Sequence, residues 1–197
     1  MLEMKRKVCM VGDEAVGKTS LVRRFVYDIF DEAYIRTVGT MISKREVVLP
    51  ELDFRVDLVI WDIMGRKDFM ELFKEAYFNH AKGIIAVFDL TMPRTMRSLD
   101  EWLGAIHSTA GEVPTVVIAN KVDLEQAEGL SNEDIQGYFD SRQLRYFKAS
   151  AKSGKNVDEA VSYLAREMLE REERGGRMPL QQPLPVASGP RTRRRAI

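Results

Sequence analysis

The sequence predicts an α/β fold: a mainly parallel six-stranded sheet with one antiparallel edge strand and helices on both faces. Three observations carry the prediction. Apolar runs of strand length alternate with segments of helical periodicity, the order that builds a sheet covered on both sides. Two of those runs, Gly83–Leu90 (GIIAVFDL) and Thr115–Ala119 (TVVIA), are apolar almost throughout, as parallel strands buried on both faces are. One further pair of strands is joined by only four residues, too short a link for anything but an antiparallel hairpin.

Each element follows in order. Lys7–Val11 (KVCMV) reads as a short buried strand, and Thr19–Phe30 as a helix with Leu21, Val22, Phe25, Val26 and Ile29 on one face. Arg45–Leu49 and Phe54–Trp61 form the strand pair across Pro50-Glu51-Leu52-Asp53, with Phe54, Val56, Leu58 and Ile60 alternating onto one side. Lys67–His80 has helical spacing of Phe69, Leu72, Phe73, Ala76 and Tyr77. A helix from Arg94 to Thr109 carries Leu99, Trp102, Leu103 and Ile106 after the Gly83–Leu90 strand. Ser131 with Asp134 starts a helix that runs to Arg142, and Arg145–Ala149 (RYFKA) is the last strand. Asn156 and Glu159 read as a capping box that opens a final helix to Arg174. Residues 1–174 are thus expected to form one domain. Residues 175–197, rich in Pro, Gly and Gln, read as a disordered basic tail.

Composition excludes several classes. Formal net charge is zero, but residues 1–174 carry 25 basic against 30 acidic side chains, the wrong sign for nucleic-acid binding. Cys9 is the only cysteine, so no disulfide can form within the chain, and a reducing, cytoplasmic setting is expected. No apolar run reaches membrane-spanning length. Leu at position 2 rules out N-myristoylation, and Arg195-Ala196-Ile197 offers no cysteine to prenylate, so no stable membrane anchor is expected. His80 and His107 lie in helical segments and read as surface or packing residues.

The chemistry concentrates in Gly12-Asp13-Glu14-Ala15-Val16-Gly17-Lys18-Thr19, which with Ser20 sits between a strand and a helix. This is the P-loop pattern of nucleotide-binding α/β proteins. Backbone N–H groups and a helix N-terminus converge on one point there, a site for a polyphosphate. Lys18 is expected to reach the β- and γ-phosphates and the Thr19 hydroxyl to ligate Mg²⁺. Asn120-Lys121-Val122-Asp123, with Leu124, follows the TVVIA strand. A carboxylate there can accept two hydrogen bonds from the ring N–H and exocyclic amine of guanine, a donor pair that adenine lacks. Lys121 would lie along the base with its stem, and Asn120 would tie this loop to the P-loop. Ser150-Ala151-Lys152 would complete the base pocket, with the Ala151 N–H on the guanine O6.

With these motifs in place the chain resembles the Ras-like small GTPases, and among them the Rab type, over residues 5–172. The resemblance implies a switch that binds GTP or GDP with Mg²⁺, hydrolyses GTP, and meets effector, activator and exchange proteins. It assigns a Mg²⁺-binding threonine to Thr37 in Tyr34-Ile35-Arg36-Thr37-Val38-Gly39, and an aromatic on the guanine edge to Phe30. Asp62-Ile63-Met64-Gly65 matches the D-x-x-G motif, Asp62 holding Mg²⁺ through water and the Gly65 N–H meeting the γ-phosphate. The two switch segments would be about residues 31–44 and 62–80.

The chain departs from that family at two places. Arg66 and Lys67 follow Gly65, where a glutamine that orients the attacking water and a glutamate are usual. Arginine has only donors, so it cannot polarise a water as an amide carbonyl does, and slow intrinsic hydrolysis is expected. Glu14 occupies a P-loop position that favours small residues. Three readings stand open: Glu14 and Arg66 pair across the γ-phosphate, Arg66 stabilises transition-state charge in cis, or both are solvated surface charges. Lys18, Thr37, Gly65 and Arg66 are therefore the candidate catalytic residues. A non-hydrolysing guanine-nucleotide-binding module is the alternative, and an ATP-dependent kinase or motor is disfavoured by Asp123.

Overall fold

A computed structural model describes residues 2–31, 37–124 and 130–175; Tyr34 and most of the basic tail lie outside them. The elements run β1 (Leu2–Val11), α1 (Lys18–Tyr27), β2 (Thr40–Leu49), β3 (Phe54–Ile63), α2 (Lys67–Phe78), β4 (Gly83–Asp89), α3 (Pro93–Arg97), α4 (Leu99–Ala110), β5 (Thr115–Asn120), α5 (Asn132–Asp140), β6 (Arg145–Lys148) and α6 (Val157–Arg174). Short 3₁₀ turns follow β2 and β5. The strands form one sheet in the order β2-β3-β1-β4-β5-β6, antiparallel only between β2 and β3. The predicted class, strand count and single antiparallel edge are all found.

Two apolar cores sandwich the sheet. On one face Leu21, Val22 and Phe25 of α1 and Val161, Leu164 and Met168 of α6 cover Val8, Val56, Leu58 and Ile118. On the other, Met70 and Phe78 of α2, Trp102 and Ile106 of α4 and Phe139 of α5 cover Ile84, Phe88 and Val117. The β4 strand is buried at every position, which explains its unbroken apolar run. The parallel strands all point their carboxyl ends to one edge, where such sheets bind ligands.

Several boundaries differ from the periodicity. β1 and β2 begin earlier than expected because β3 pairs along its whole length, Leu2 to Phe54 on one side and Thr40 to Ile63 on the other. The helix expected to reach Phe30 ends at Tyr27, where Asp28 turns left-handed (φ 54°) and donates its N–H to the Arg24 carbonyl at 3.0 Å. The helix expected to reach His80 ends at Phe78; His80 itself has φ 62°. The single helix expected over Arg94–Thr109 is two, because the Ser98 carbonyl takes the N–H groups of both Glu101 and Trp102 (3.2 and 3.4 Å) and tightens the turn. Ser131 caps α5 as expected, accepting from the Asp134 N–H at 3.0 Å. Asn156 does not cap α6: it adopts φ 58° and its Nδ2 donates to the Lys148 carbonyl at 2.8 Å, so it fastens the helix start to β6 instead.

Two long-range ion pairs pin the far half of α6. Arg6 Nε donates to Glu172 at 2.7 Å, and Arg166 pairs with Glu51 in the β2–β3 turn.

Candidate functional site

The loop between β1 and α1 is shaped by two glycines that admit no side chain. A Cβ on Gly12 (φ 137°) would lie 2.1 Å from the Val87 carbonyl oxygen, and one on Gly17 (φ 95°) 2.2 Å from Asn120 Nδ2. Within the loop Lys18 is almost fully buried, and its ammonium donates to the Gly12 and Asp13 carbonyls at 2.8 Å each. Burial lowers its pKa to about 8 against the pull of Asp62, Asp13 and Glu14. The Asp13 carboxylate is held from the opposite side by the indole N–H of buried Trp102, at 3.0 Å.

Beside it three oxygen-bearing side chains converge. The Thr19 hydroxyl donates to Asp62 Oδ2 at 2.6 Å and lies 2.8 Å from the Thr37 hydroxyl, its partner on the accepting side. Asp62 is buried and its Oδ1 has no hydrogen-bond partner, while burial raises its pKa despite Thr19 and Lys18. An orphaned buried carboxylate oxygen beside two hydroxyls suits a hard, oxygen-seeking cation that keeps part of its water. Among the described residues no cluster of three His, Cys, Asp or Glu offers another metal-binding arrangement.

Across the cleft, Asn120 links three segments. Its buried Nδ2 donates to the Val16 carbonyl at 2.8 Å, and its Oδ1 accepts from the Ala151 N–H at 3.1 Å. That N–H was expected on the base; here it braces the loop. Ser150 Oγ donates to Asp123 Oδ1 at 2.6 Å and accepts from the Ser153 N–H at 3.1 Å, which sets the carboxylate at the cleft mouth. The Lys121 ammonium pairs with the buried carboxylate of Asp89 at 2.6 Å, leaving its stem along the wall.

These parts enclose a cleft of about 510 Å³. The loop side contributes Glu14, Ala15, Gly17, Lys18, Thr19 and Ser20. Phe30, Thr37 and Gly65 border it from the segments before β2 and after β3, and Asn120, Lys121, Asp123, Leu124, Ala151 and Lys152 from the opposite loops. Gly12, Asp13, Val16, Asp62 and Ser150 stand behind that wall as its supports. Phe30 borders the cleft and also packs partly on the α1/α6 core.

Arg66 follows Gly65 at the start of α2. Its guanidinium is gripped by Asp68 in the first turn of α2, Nε at 3.0 Å from one oxygen and the second nitrogen on the other. Asp68 is the dominant partner and Glu14 a weaker Coulombic one, so a Glu14–Arg66 pair, one of the three open readings, is not the main contact of the arginine here. Arg66 is also not on the cleft wall, which leaves it away from the proposed in-cis charge role in this conformation. Gly65 packs so closely on the P-loop that a Cβ would meet the Asp13 and Glu14 backbone at 2.4 Å. Met64 finds its space by burying its side chain, with its N–H on the Gly39 carbonyl at 3.0 Å.

Three supports carried no signal in the sequence. Arg24 donates to the carbonyls of Ala151 (2.9 Å) and Lys152 (2.7 Å), joining α1 to the base loop. Asp89 and Trp102 each sit in an apolar segment, and their polar atoms are turned to Lys121 and Asp13.

A strand–glycine loop–helix unit, an oxygen-lined corner and a carboxylate-bearing loop on one cleft define the P-loop nucleotide-binding class. Residues 7–170 match the sequence model of the Ras family. The chain is 36% identical over 164 residues to the Ras-related protein Rab-13 of Rattus norvegicus, covering 83% of this chain and 79% of that protein. It is 35% identical over 164 residues to the GTP-binding protein ypt2 of Schizosaccharomyces pombe, covering 82% of this chain and 80% of that one. The chain belongs to the Ras family, as a small GTPase of the Rab type.

Proposed function

We propose that the protein is a guanine-nucleotide switch that alternates between GTP and GDP and hydrolyses GTP slowly on its own. The observation that carries this is the convergence of Lys18, the Thr19–Thr37–Asp62 corner and the Asp123 carboxylate on one cleft. Lys18 would exchange its two carbonyl partners for β- and γ-phosphate oxygens, and the P-loop N–H groups would hold the remaining phosphate charge. Asp123, oriented by Ser150, would read the guanine edge, with Lys121 and Phe30 along the base and Lys152 beside it. Thr19 and Thr37 directly, and Asp62 through water, would hold Mg²⁺. Bound there, the ion supplies charge neutralisation across the β- and γ-phosphates.

Gly65 and Thr37 would follow the γ-phosphate and order their segments, and loss of that phosphate would release them. Effector, activator and exchange proteins would read the difference on the surface beside α2. There Phe69, Phe73 and Tyr77 pack into one aromatic cluster whose Tyr77 meets Trp61 edge-on, and Leu72 and Ile42 are exposed. Residues 1–174 would carry the whole cycle, with 175–197 a basic appendage, and the setting would be cytoplasmic. Among the described residues no helix is long and apolar enough to cross a membrane.

Slow hydrolysis follows from Arg66. A group with donors only, already gripped by Asp68, does not polarise an attacking water. Single-turnover assays on preloaded GTP are expected to show Arg66→Gln faster than wild type by roughly ten- to 100-fold, as a water-orienting amide is restored. Equal rates would remove Arg66 as the cause. No phosphate release from either, even with cell extract, would favour the non-hydrolysing binding module.

Lys18 imposes a pH dependence. Its folded pKa, about 8 without nucleotide, lies below the 10.5 of an exposed lysine. The cost of burying the charged amine is therefore fully present below pH 8, and it is lost as pH rises through 10.5 and the unfolded chain also gives up the proton. Binding phosphate needs the charged form, so nucleotide uptake above pH 8 must bring a proton with it. The GTP dissociation constant is expected to rise by roughly 30-fold between pH 7 and 9.5. Calorimetry in buffers of different ionisation enthalpy would report the proton; a flat affinity across that range would contradict the assignment.

A further inference from the structure

We propose that Arg23 is a second resident cation of the phosphate and metal corner, and that it lowers the protein's dependence on magnesium for retaining nucleotide. This rests on the nucleotide reading above. Arg23 lies four residues beyond Thr19 on α1, so both side chains leave the same face of the helix. It borders the main cleft and also a smaller groove of about 320 Å³ that Thr19, Asp31, Met41 and Asp62 share. The buried Asp62 carboxylate feels its charge. Yet among the described residues no hydrogen bond or ion pair engages the Arg23 guanidinium. Its neighbour Arg24, by contrast, is fully occupied by Ala151, Lys152 and Asp28.

A half-buried guanidinium cannot shed its proton, so it gains by acquiring an anion. The anion the cleft would bring to this corner is phosphate. Two effects then act in one direction. The positive charge holds the phosphates when the metal is stripped away, and it repels a divalent cation seeking the neighbouring oxygens. Both shrink the ratio between nucleotide release without magnesium and release with it.

The test is that ratio, measured on the full chain loaded with fluorescent GDP and chased with unlabelled GDP, in magnesium and after chelation with EDTA. Arg23→Leu removes the charge and suits apolar neighbours Val22, Ile29 and Met41 on the groove. Its ratio is expected to exceed that of wild type by roughly five- to tenfold, the effect of about one unit charge through a partly solvated wall. Arg23→Lys keeps the charge and is expected to stay within about twofold of wild type. If Arg23 only packs, Arg23→Leu will move both rates together and leave the ratio unchanged, which overturns the proposal. Wild type that fails to retain GDP even in magnesium overturns the nucleotide reading itself, and the proposal with it.

Discussion

Gly12→Ala is expected to lower the melting temperature by roughly 6–12 °C and to weaken GTP binding by about 100-fold or more. The added methyl would sit 2.1 Å from the Val87 carbonyl oxygen at a backbone φ of 137° that alanine avoids. Left-handed strain and overpacking together cost about 3 kcal/mol or more, which in a domain of this size translates into that melting shift. The carbonyl belongs to β4, inside the sheet, and cannot retreat. The loop must move instead, taking with it the Gly12 and Asp13 carbonyls that hold Lys18. Thermal denaturation with and without GTP separates the two effects. A variant that melts within a degree or two of wild type would show the loop to be more pliable than its packing implies.

Asp123→Ala is expected to cut GTP affinity by roughly 10²- to 10⁴-fold while ATP affinity stays at its own low level. Two hydrogen bonds to a charged acceptor contribute about 1.5–3 kcal/mol each, and both would be lost with guanine alone. The fold should hold, because the side chain is exposed at the cleft mouth and Ser150 Oγ keeps the Ser153 N–H as its partner. Competition binding of GTP, GDP and ATP measures the result directly. Preference for GTP over ATP retained at the wild-type ratio would move base recognition away from this carboxylate.

The P-loop is legible in the sequence because its determinants are contiguous: a strand, two glycines, Lys18 and Thr19, all within a few turns of chain. The central strands are legible for a similar reason, since β4 is buried on both faces and needs an apolar residue at each position. What escapes the sequence are connections made across it. Arg24 reads as one more polar helix position, and only the fold brings it to carbonyls 127 and 128 residues away. Trp102 reads as core, and it is core; its indole N–H nevertheless carries Asp13 of the P-loop. The front halves of β1 and β2 are invisible to periodicity, because their mostly exposed residues, charged in β1 and mixed in β2, form strands only through pairing with β3. Arg66 shows the same limit at the site. Its identity announces a departure from the family, but its partner, Asp68 rather than Glu14, depends on where the first turn of α2 begins.

The two ion pairs at the far end of α6 fix a direction for the whole molecule. Glu172 sits on Arg6 and Arg166 on Glu51, at the edge of the sheet where the parallel strands start, whereas the cleft lies where they finish. The chain therefore leaves Gly175 on the side facing away from the nucleotide. Held by a leash at that end, whether an immobilising tag or a docking partner, the protein would present its cleft and both switch segments outward. Loading, release and partner capture could then proceed without letting go of the tether.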